Sequence, residues 1–172
     1  MNFQKGFTLF ELMITMTIIA IIVMVGVPSF LQIKKNIQLK GAIESSYFAF
    51  QHARSAAISN GSDVTLSINP GTNWCIGISN TGDCDCNILN SCTVNGIEQQ
   101  VKSSDFSHIS MRDISFGASS MAVFDGVRGL SIGNAGSMIF SDGSNEAKLI
   151  LSNMGRVRIC IAEGDLGSYS SC

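Results

Sequence analysis

The sequence has few of the groups with which enzymes carry out acid–base or nucleophilic chemistry. It contains two histidines, and charged residues make up 14% of its 172 positions. His52 falls on an expected amphipathic helix and His108 in a serine-rich stretch, with no nucleophile and no phosphate-binding glycine loop around either. This scarcity argues against an enzyme and against a cofactor. It favours a binding or assembly protein.

Charge is absent altogether between Leu12 and Ile33. As a helix this run would span about 33 Å, enough to cross the hydrocarbon core of a bilayer. Glu11 stands immediately before it, where an ionised carboxylate costs on the order of 3 kcal/mol. A chain that keeps this acid is expected to use it. The alternative is an ordinary signal anchor in which Glu11 merely reaches the membrane interface.

A secretory cleavage site is also absent, because no A-x-A pattern follows the apolar run. The leader before Phe7 is short and has one positive charge, and the stretch from Gly6 to Glu11 combines a glycine, an aromatic residue, a threonine and an acid. This start resembles the signal of type IV prepilins and pseudopilins. In that family a prepilin peptidase cuts after the glycine and methylates the new N-terminal residue. The resemblance implies cleavage after Gly6, methylation of Phe7, and pairing of Glu11 with the Phe7 amine of a neighbouring pilin subunit.

Apolar residues continue at three- and four-residue intervals up to Ile58, which predicts an amphipathic helix that stops at Asn60-Gly61. The expected organisation is a leader at 1–6, a pilin helix at 7–60 with residues 7–30 in the membrane, and a head at 61–172. Three lysines after the membrane run would place the head in the cytoplasm by positive-inside statistics. The prepilin signal and the cysteines favour the opposite orientation. We therefore expect a single-pass protein of the bacterial inner membrane with a periplasmic head, later displayed on a pilus or the cell surface.

From Asp63 onward the chain consists of short alternating runs separated by Gly, Asn and Ser. Such runs occupy residues 63–68, 74–78, 109–116, 137–141, 148–152 and 156–161. No crossover helices are evident between them, so a parallel sheet is not expected. The predicted fold class is α+β, with the long N-terminal helix packed on an antiparallel β head of two small sheets.

All six cysteines lie in the head, and an even number in an exported domain predicts disulfides. Cys172 ends a tail that needs to be tied down, and Cys160 is its nearest cysteine in sequence, so we expect a Cys160–Cys172 bond. The other four are expected to close their own loop, with the pairing left open: Cys75, Cys84, Cys86 and Cys92. Zinc thiolates are the alternative there, but no histidine lies nearby, and we expect no metal.

The stretch from Gly155 to Arg158 is the most suggestive part of the head. On a strand, Arg156 and Arg158 would point the same way, about 6.6 Å apart, while Val157 faces the core together with Ile159 and Ile161. Paired guanidiniums at that spacing suit adjacent phosphates of a nucleic acid. Gly155 would remove side-chain bulk beside them.

Basic charge is concentrated around these arginines. The window from Lys148 to Arg158 has three basic residues and no acid, whereas the head as a whole has six basic and eleven acidic residues, a net charge of −5. Binding of DNA would therefore be local and sensitive to salt. Three further basic residues could extend the patch: Lys102, Arg112 and Arg128.

The prepilin start, the β-rich head and the Gly-Arg-x-Arg element together resemble the FimT/GspH group of minor pilins, and FimT-like members most. This resemblance implies a minor type IV pilin that binds the backbone of double-stranded DNA, without sequence preference, and supports natural transformation. The DNA-binding residues that it implies are Gly155, Arg156 and Arg158, and Lys148 is expected to join them because it belongs to the same basic window. One alternative is a minor pseudopilin of a type II secretion system whose arginines only solvate a strand. Another is an adhesin-like pilin that uses the cysteine-rich loop.

Overall fold

A single long helix forms the N-terminal part of the protein. The computed structural model describes residues 6, 8–117, 120–167 and 169–172, so the methylation predicted at Phe7 lies outside the described residues. Helix α1 spans Leu9–Asn60. The Thr8 hydroxyl accepts a hydrogen bond from the backbone N–H of Glu11 at 3.3 Å and caps the first turn.

The helix ends where the Asn60-Gly61 pattern predicts. Gly61 adopts a φ of 62°, in the left-handed region that glycine enters without strain. The N–H of Ser62 then donates to the carbonyl of Ala57 at 3.3 Å, a hydrogen bond typical of glycine-terminated helices.

Two compact units divide the chain between Lys35 and Asn36. In the first unit, the large apolar side chains described between Leu9 and Ile33 are exposed, and α1 is long and apolar enough to cross a membrane. The second unit contains the remainder of α1 and the whole β-rich region.

In the described part of the head, ten strands follow the helix, and all are paired antiparallel. They are β1 (Val64–Asn69), β2 (Cys75–Ser79), β3 (Thr93–Val94), β4 (Ile97–Glu98), β5 (Gln100–Lys102), β6 (Ser110–Phe116), β7 (Met121–Phe124), β8 (Gly136–Ser141), β9 (Glu146–Leu151) and β10 (Val157–Glu163). One four-stranded sheet has the order β5-β2-β1-β7, the other has the order β10-β9-β8-β6, and β3 pairs with β4 in a small ribbon. The α+β class and the antiparallel sheets predicted from the sequence are confirmed.

The core lies between the two sheets and the second part of α1. Leu39, Ile43 and Phe50 are fully buried on one face of the helix, at the four- and seven-residue spacing typical of an amphipathic helix. The Phe50 ring lies 5.7 Å from Phe116 on β6 and 6.4 Å from Phe124 on β7, measured between ring centroids. One helical side chain therefore contacts both sheets.

Four cysteines clamp the loop that follows β2. Cys75 is bonded to Cys86, and Cys84 to Cys92, so the two bridges interleave along the chain. A side chain at Gly77 would collide with the sulfurs of Cys84 and Cys92, because this bridge lies directly on the β2 backbone. The thiolates that the zinc alternative required are used in these bonds.

The C-terminal tail returns to strand β10. Cys160 and Cys172 form a disulfide, the pair favoured by the sequence, and Ile161 makes a parallel bridge to Ser171. Tyr169 donates a hydrogen bond from its hydroxyl to a carboxylate oxygen of Glu44 on α1. The tail is thus fastened both to the sheet and to the helix.

The contact between Tyr169 and Glu44 predicts a dependence of stability on alkaline pH. Burial, together with the neighbouring Glu44 carboxylate, raises the pKa of Tyr169 from its ordinary value of 10 to about 12. The folded state holds the phenolic proton more tightly than the unfolded state. The contribution of protonated Tyr169 to the free energy of unfolding is therefore complete below pH 10 and is lost as pH rises towards 12.

Ultraviolet titration of the two tyrosines should show this late ionisation directly. Tyr169→Phe should remove the step near pH 12, whereas the control Tyr47→Phe should leave it in place. A step near pH 12 that persists in Tyr169→Phe would contradict the assignment.

Candidate nucleic-acid interface

The β9–β10 hairpin carries the arginines that the sequence singles out. Its turn is closed by hydrogen bonds between Ser152 and Arg156. The Ser152 N–H donates to the Arg156 carbonyl at 3.0 Å, and the Arg156 N–H donates to the Ser152 hydroxyl at 3.2 Å. The Gly155 N–H donates to the Ser152 carbonyl at 2.9 Å. The turn is therefore held in one conformation by its own residues.

Arg156 and Arg158 are both exposed, while Val157 between them is buried. Arg158 alternates with the buried Val157 along β10, and Arg156 immediately precedes the strand and lines the same groove as Arg158. In the described chain, neither arginine forms an ion pair with a carboxylate. Their charges are thus available to a ligand.

The strand register brings Lys148 onto the same face. Arg158 lies opposite Ile150 on β9, and Cys160 lies opposite Lys148. Residues that face each other across an antiparallel pair share a face, so Lys148 is the diagonal neighbour of Arg158. Lys148, a half-buried residue, therefore lies next to Arg158 on this face of the sheet.

Arg112 lies in line with Lys148 across the strands, but its charge is already paired with acidic side chains. It lies opposite Ile139 on β8, which in turn lies opposite Lys148. Its guanidinium pairs with Glu146, and also with Asp113 at 3.1 Å. Hydrogen bonding to Glu146 is the largest of the effects that raise the pKa of Arg112. The expected extension of the patch therefore meets a neutralised pair at this point.

The other two candidates for a larger patch lie outside this sheet. Lys102 is on β5, in the opposite sheet, and Arg128 is in the loop between β7 and β8, next to Gly129, whose carbonyl approaches Gly155. The basic residues of the β9–β10 hairpin itself are Arg156, Arg158 and Lys148, which we call the hairpin patch.

Arg156 and Arg158 line an open groove of about 380 Å³. Ile150, Ser152 and Met154 complete its lining. The groove thus combines two cationic side chains with apolar surface and has no acidic residue in its lining.

A glycine is needed at position 155 because of the backbone conformation and a close contact, and not to make room for the arginines. Its φ is 70°, and a side chain there would collide with the carbonyl oxygen of Gly129. The same carbonyl accepts a hydrogen bond from the side-chain Nε of Arg54 on α1, at 3.1 Å. The hairpin turn, the β7–β8 loop and the helix meet at this oxygen. Sequence reasoning missed Arg54, whose only signal is a charge within the amphipathic pattern of α1.

Asp125 holds the β7–β8 loop in the shape that this contact requires. Its carboxylate accepts backbone hydrogen bonds from Arg128 at 2.8 Å, Leu130 at 2.7 Å and Val127 at 3.0 Å. The hydrogen bond from the backbone N–H of Arg128 is the main reason why the pKa of Asp125 lies below the ordinary value for an aspartate. The loop also reaches the hairpin, where the Ser131 N–H donates to the carbonyl of Asn153 at 2.9 Å.

Two protein families match the chain. Residues 1–27 match the prokaryotic N-terminal methylation motif, and residues 42–155 match the family described as type II transport protein GspH. The second match covers about two thirds of the sequence. The chain belongs to the GspH family. No curated protein and no solved structure matches it significantly.

Members of this GspH family are structural proteins rather than enzymes, in agreement with the scarcity of catalytic groups. The family implies processing as a prepilin and assembly with other pilins. The methylation motif and the apolar part of α1 fit a protein anchored in the inner membrane and then assembled into a filament. The GspH match ends at Gly155, immediately before Arg156, so the two arginines lie beyond it.

Proposed function

We propose that this GspH-family chain is a minor type IV pilin that binds the backbone of DNA through the hairpin patch and supports natural transformation. The observation that carries the proposal is that Arg156 and Arg158 are both exposed, form no ion pair in the described chain and lie beside Lys148. The head that displays them has a negative net charge. Paired guanidiniums at this spacing suit adjacent phosphates, which carry no sequence information, so duplex sequence should matter little.

Residue roles in the N-terminal segment belong to the same proposal. Gly6 is the position after which prepilin peptidase cuts, Phe7 receives the methyl group, and Glu11 guides assembly with other pilin subunits. The three disulfides support a head that folds in the oxidising periplasm before it is displayed on the pilus. The leader at 1–6 and the membrane segment at 7–30 complete this organisation.

The second candidate is a minor pseudopilin of a type II secretion system that does not bind DNA. The description of the matching family as a type II transport protein favours it. In that case the arginines would only keep the edge strand β10 soluble.

Binding of duplex DNA to the full-length chain in a non-ionic detergent separates the two candidates. Replacing Arg156 and Arg158 together by Gln should weaken binding at least tenfold. It should also reduce the slope of log affinity against log salt by about two, because binding then makes two fewer phosphate contacts and releases fewer counterions from the DNA. Fluorescence anisotropy with a labelled duplex at several salt concentrations measures both quantities.

Lys102→Gln is the matched control for the single changes Arg156→Gln and Arg158→Gln. It removes one basic charge from β5 in the other sheet. It should change the slope less than either arginine variant, and a duplex of shuffled sequence should bind as well as the original. If the double variant keeps wild-type affinity and slope, the pseudopilin candidate takes the place of the proposal.

A further inference from the structure

Met154 lies at the tip of the hairpin and is 69% exposed. The turn beneath it is closed by the Ser152–Arg156 hydrogen bonds and fastened to the β7–β8 loop through the carbonyl of Asn153. A rigid turn therefore presents an apolar side chain to solvent.

The groove beside Met154 has two kinds of surface. Ile150 and Met154 are apolar, and Arg156 and Arg158 are cationic. A ligand that satisfies both must have anionic groups and a flat apolar surface a short distance apart. A nucleotide has this combination, but in a duplex the faces of the bases are covered by stacking.

We infer that the groove binds an unpaired nucleotide of single-stranded DNA, an inference that rests on the proposed DNA binding. The phosphates lie against Arg156 and Arg158, and the base lies against Met154 and Ile150. Methionine sulfur makes favourable contacts with aromatic rings, and apolar side chains such as Met and Ile act as wedges between bases in other DNA-binding proteins. Met154 is a base-contacting residue in this arrangement, and the arginines supply the electrostatic attraction.

An anionic membrane offers similar chemistry, but the charge distribution of the head disfavours it. The head has a net charge of −5. An extended anionic surface would face this acidic body as well as the hairpin, whereas a single strand is narrow enough to follow the hairpin patch alone. The structure therefore favours a nucleic-acid strand.

The test compares three labelled probes on the full-length chain in nanodiscs of neutral phosphatidylcholine. The probes are a single-stranded thymidine oligonucleotide, an abasic strand of equal length, and a duplex. The wild type should bind the thymidine strand about fivefold more tightly than the abasic strand, because only the former has bases to contact Met154. It should also bind the thymidine strand more tightly than the duplex.

Met154→Ser should remove the preference for bases and leave the salt slope unchanged, because no phosphate contact is lost. Met154→Leu should keep most of the preference. Leu89→Ser is the matched control, since Leu89 is a similarly exposed apolar residue, at 76%, in the clamped loop after β2. It should behave as the wild type.

Equal binding of the thymidine and abasic strands by the wild type would overturn the base contact and leave the proposed function standing. Loss of affinity for all three probes in Met154→Ser, with a reduced salt slope, would also overturn it, because the residue would then act only through the arginines. Displacement of the thymidine strand by phosphatidylglycerol vesicles, abolished in Met154→Ser, would replace the strand by a lipid surface. If the chain binds none of the three probes in a salt-dependent way, both the proposed function and this inference are wrong.

Discussion

Replacement of Glu11 by alanine is expected to abolish incorporation of the chain into filaments without preventing its processing. Glu11 is the only charged residue between Thr8 and Ile33. A carboxylate in an apolar phase is retained only where a partner compensates its desolvation, and the amine of Phe7 on a neighbouring subunit is the partner that we propose. Without the acid, the helix should still enter the membrane, but it should lose the proposed contact with the Phe7 amine.

Mass spectrometry of the mature chain should show cleavage after Gly6 in Glu11→Ala, as in the wild type. The amount in sheared filaments, measured against the membrane pool, should fall to background. Glu11→Gln should fail in the same way, because it keeps the size of the side chain but not its charge. Met13→Ala, a change in the apolar run two residues away, serves as the control. Wild-type abundance of Glu11→Ala in filaments would refute the pairing.

Loss of the Cys160–Cys172 bond should produce the second large effect. On the chain-entropy account, a bridge that closes a loop of this length contributes about 3 kcal/mol to the free energy of unfolding. Cys172→Ser should therefore lower the melting temperature of the head by about 10 °C. The loss includes fraying of the tail, whose backbone bonds to Ile161 depend on its being held against β10.

Thermal unfolding of the oxidised chain, followed by far-ultraviolet circular dichroism, measures this shift in melting temperature. The double variant Cys160→Ser/Cys172→Ser controls for the thiol that the single variant leaves at position 160, and it should melt at the same temperature. An unchanged melting temperature in both variants would show that the bridge does not stabilise the head.

The long elements of the fold could be predicted from local pattern. The end of α1 at Asn60 follows from the glycine behind it, and six strands follow from alternation between turn residues. Strand β7 was missed because it has only four residues, Met121–Phe124, and it forms by pairing with β1. Strand β5 was missed because Gln100–Lys102 is short and mostly polar. Both are strands because of their partners rather than their own sequences.

The candidate site was predictable only where it is local. The two-residue spacing suffices to predict Arg156 and Arg158 as neighbours, which line one groove, but the position of Lys148 depends on the register in which Arg158 faces Ile150. A slip of one residue would move Lys148 to the other face. The contact between Gly155 and Gly129 depends on the docking of a loop against a hairpin turn. No local pattern encodes such a contact.

The oxygen of Gly129 gives the hairpin a mechanical connection to the helix. On the proposed function, tension in the bound DNA would load the hairpin at its tip, and the force would enter β10 along its ladder with β9. Near its tip, the hairpin is fastened to the rest of the head by non-covalent contacts: the Gly129 carbonyl, which Arg54 holds, against Gly155, and the Ser131–Asn153 hydrogen bond. The Cys160–Cys172 bridge joins β10 to the tail that follows it, and this tail is held to α1 by the Tyr169–Glu44 hydrogen bond. Under tension the turn should therefore yield first, and the covalent bridge should keep β10 and the tail together as one unit.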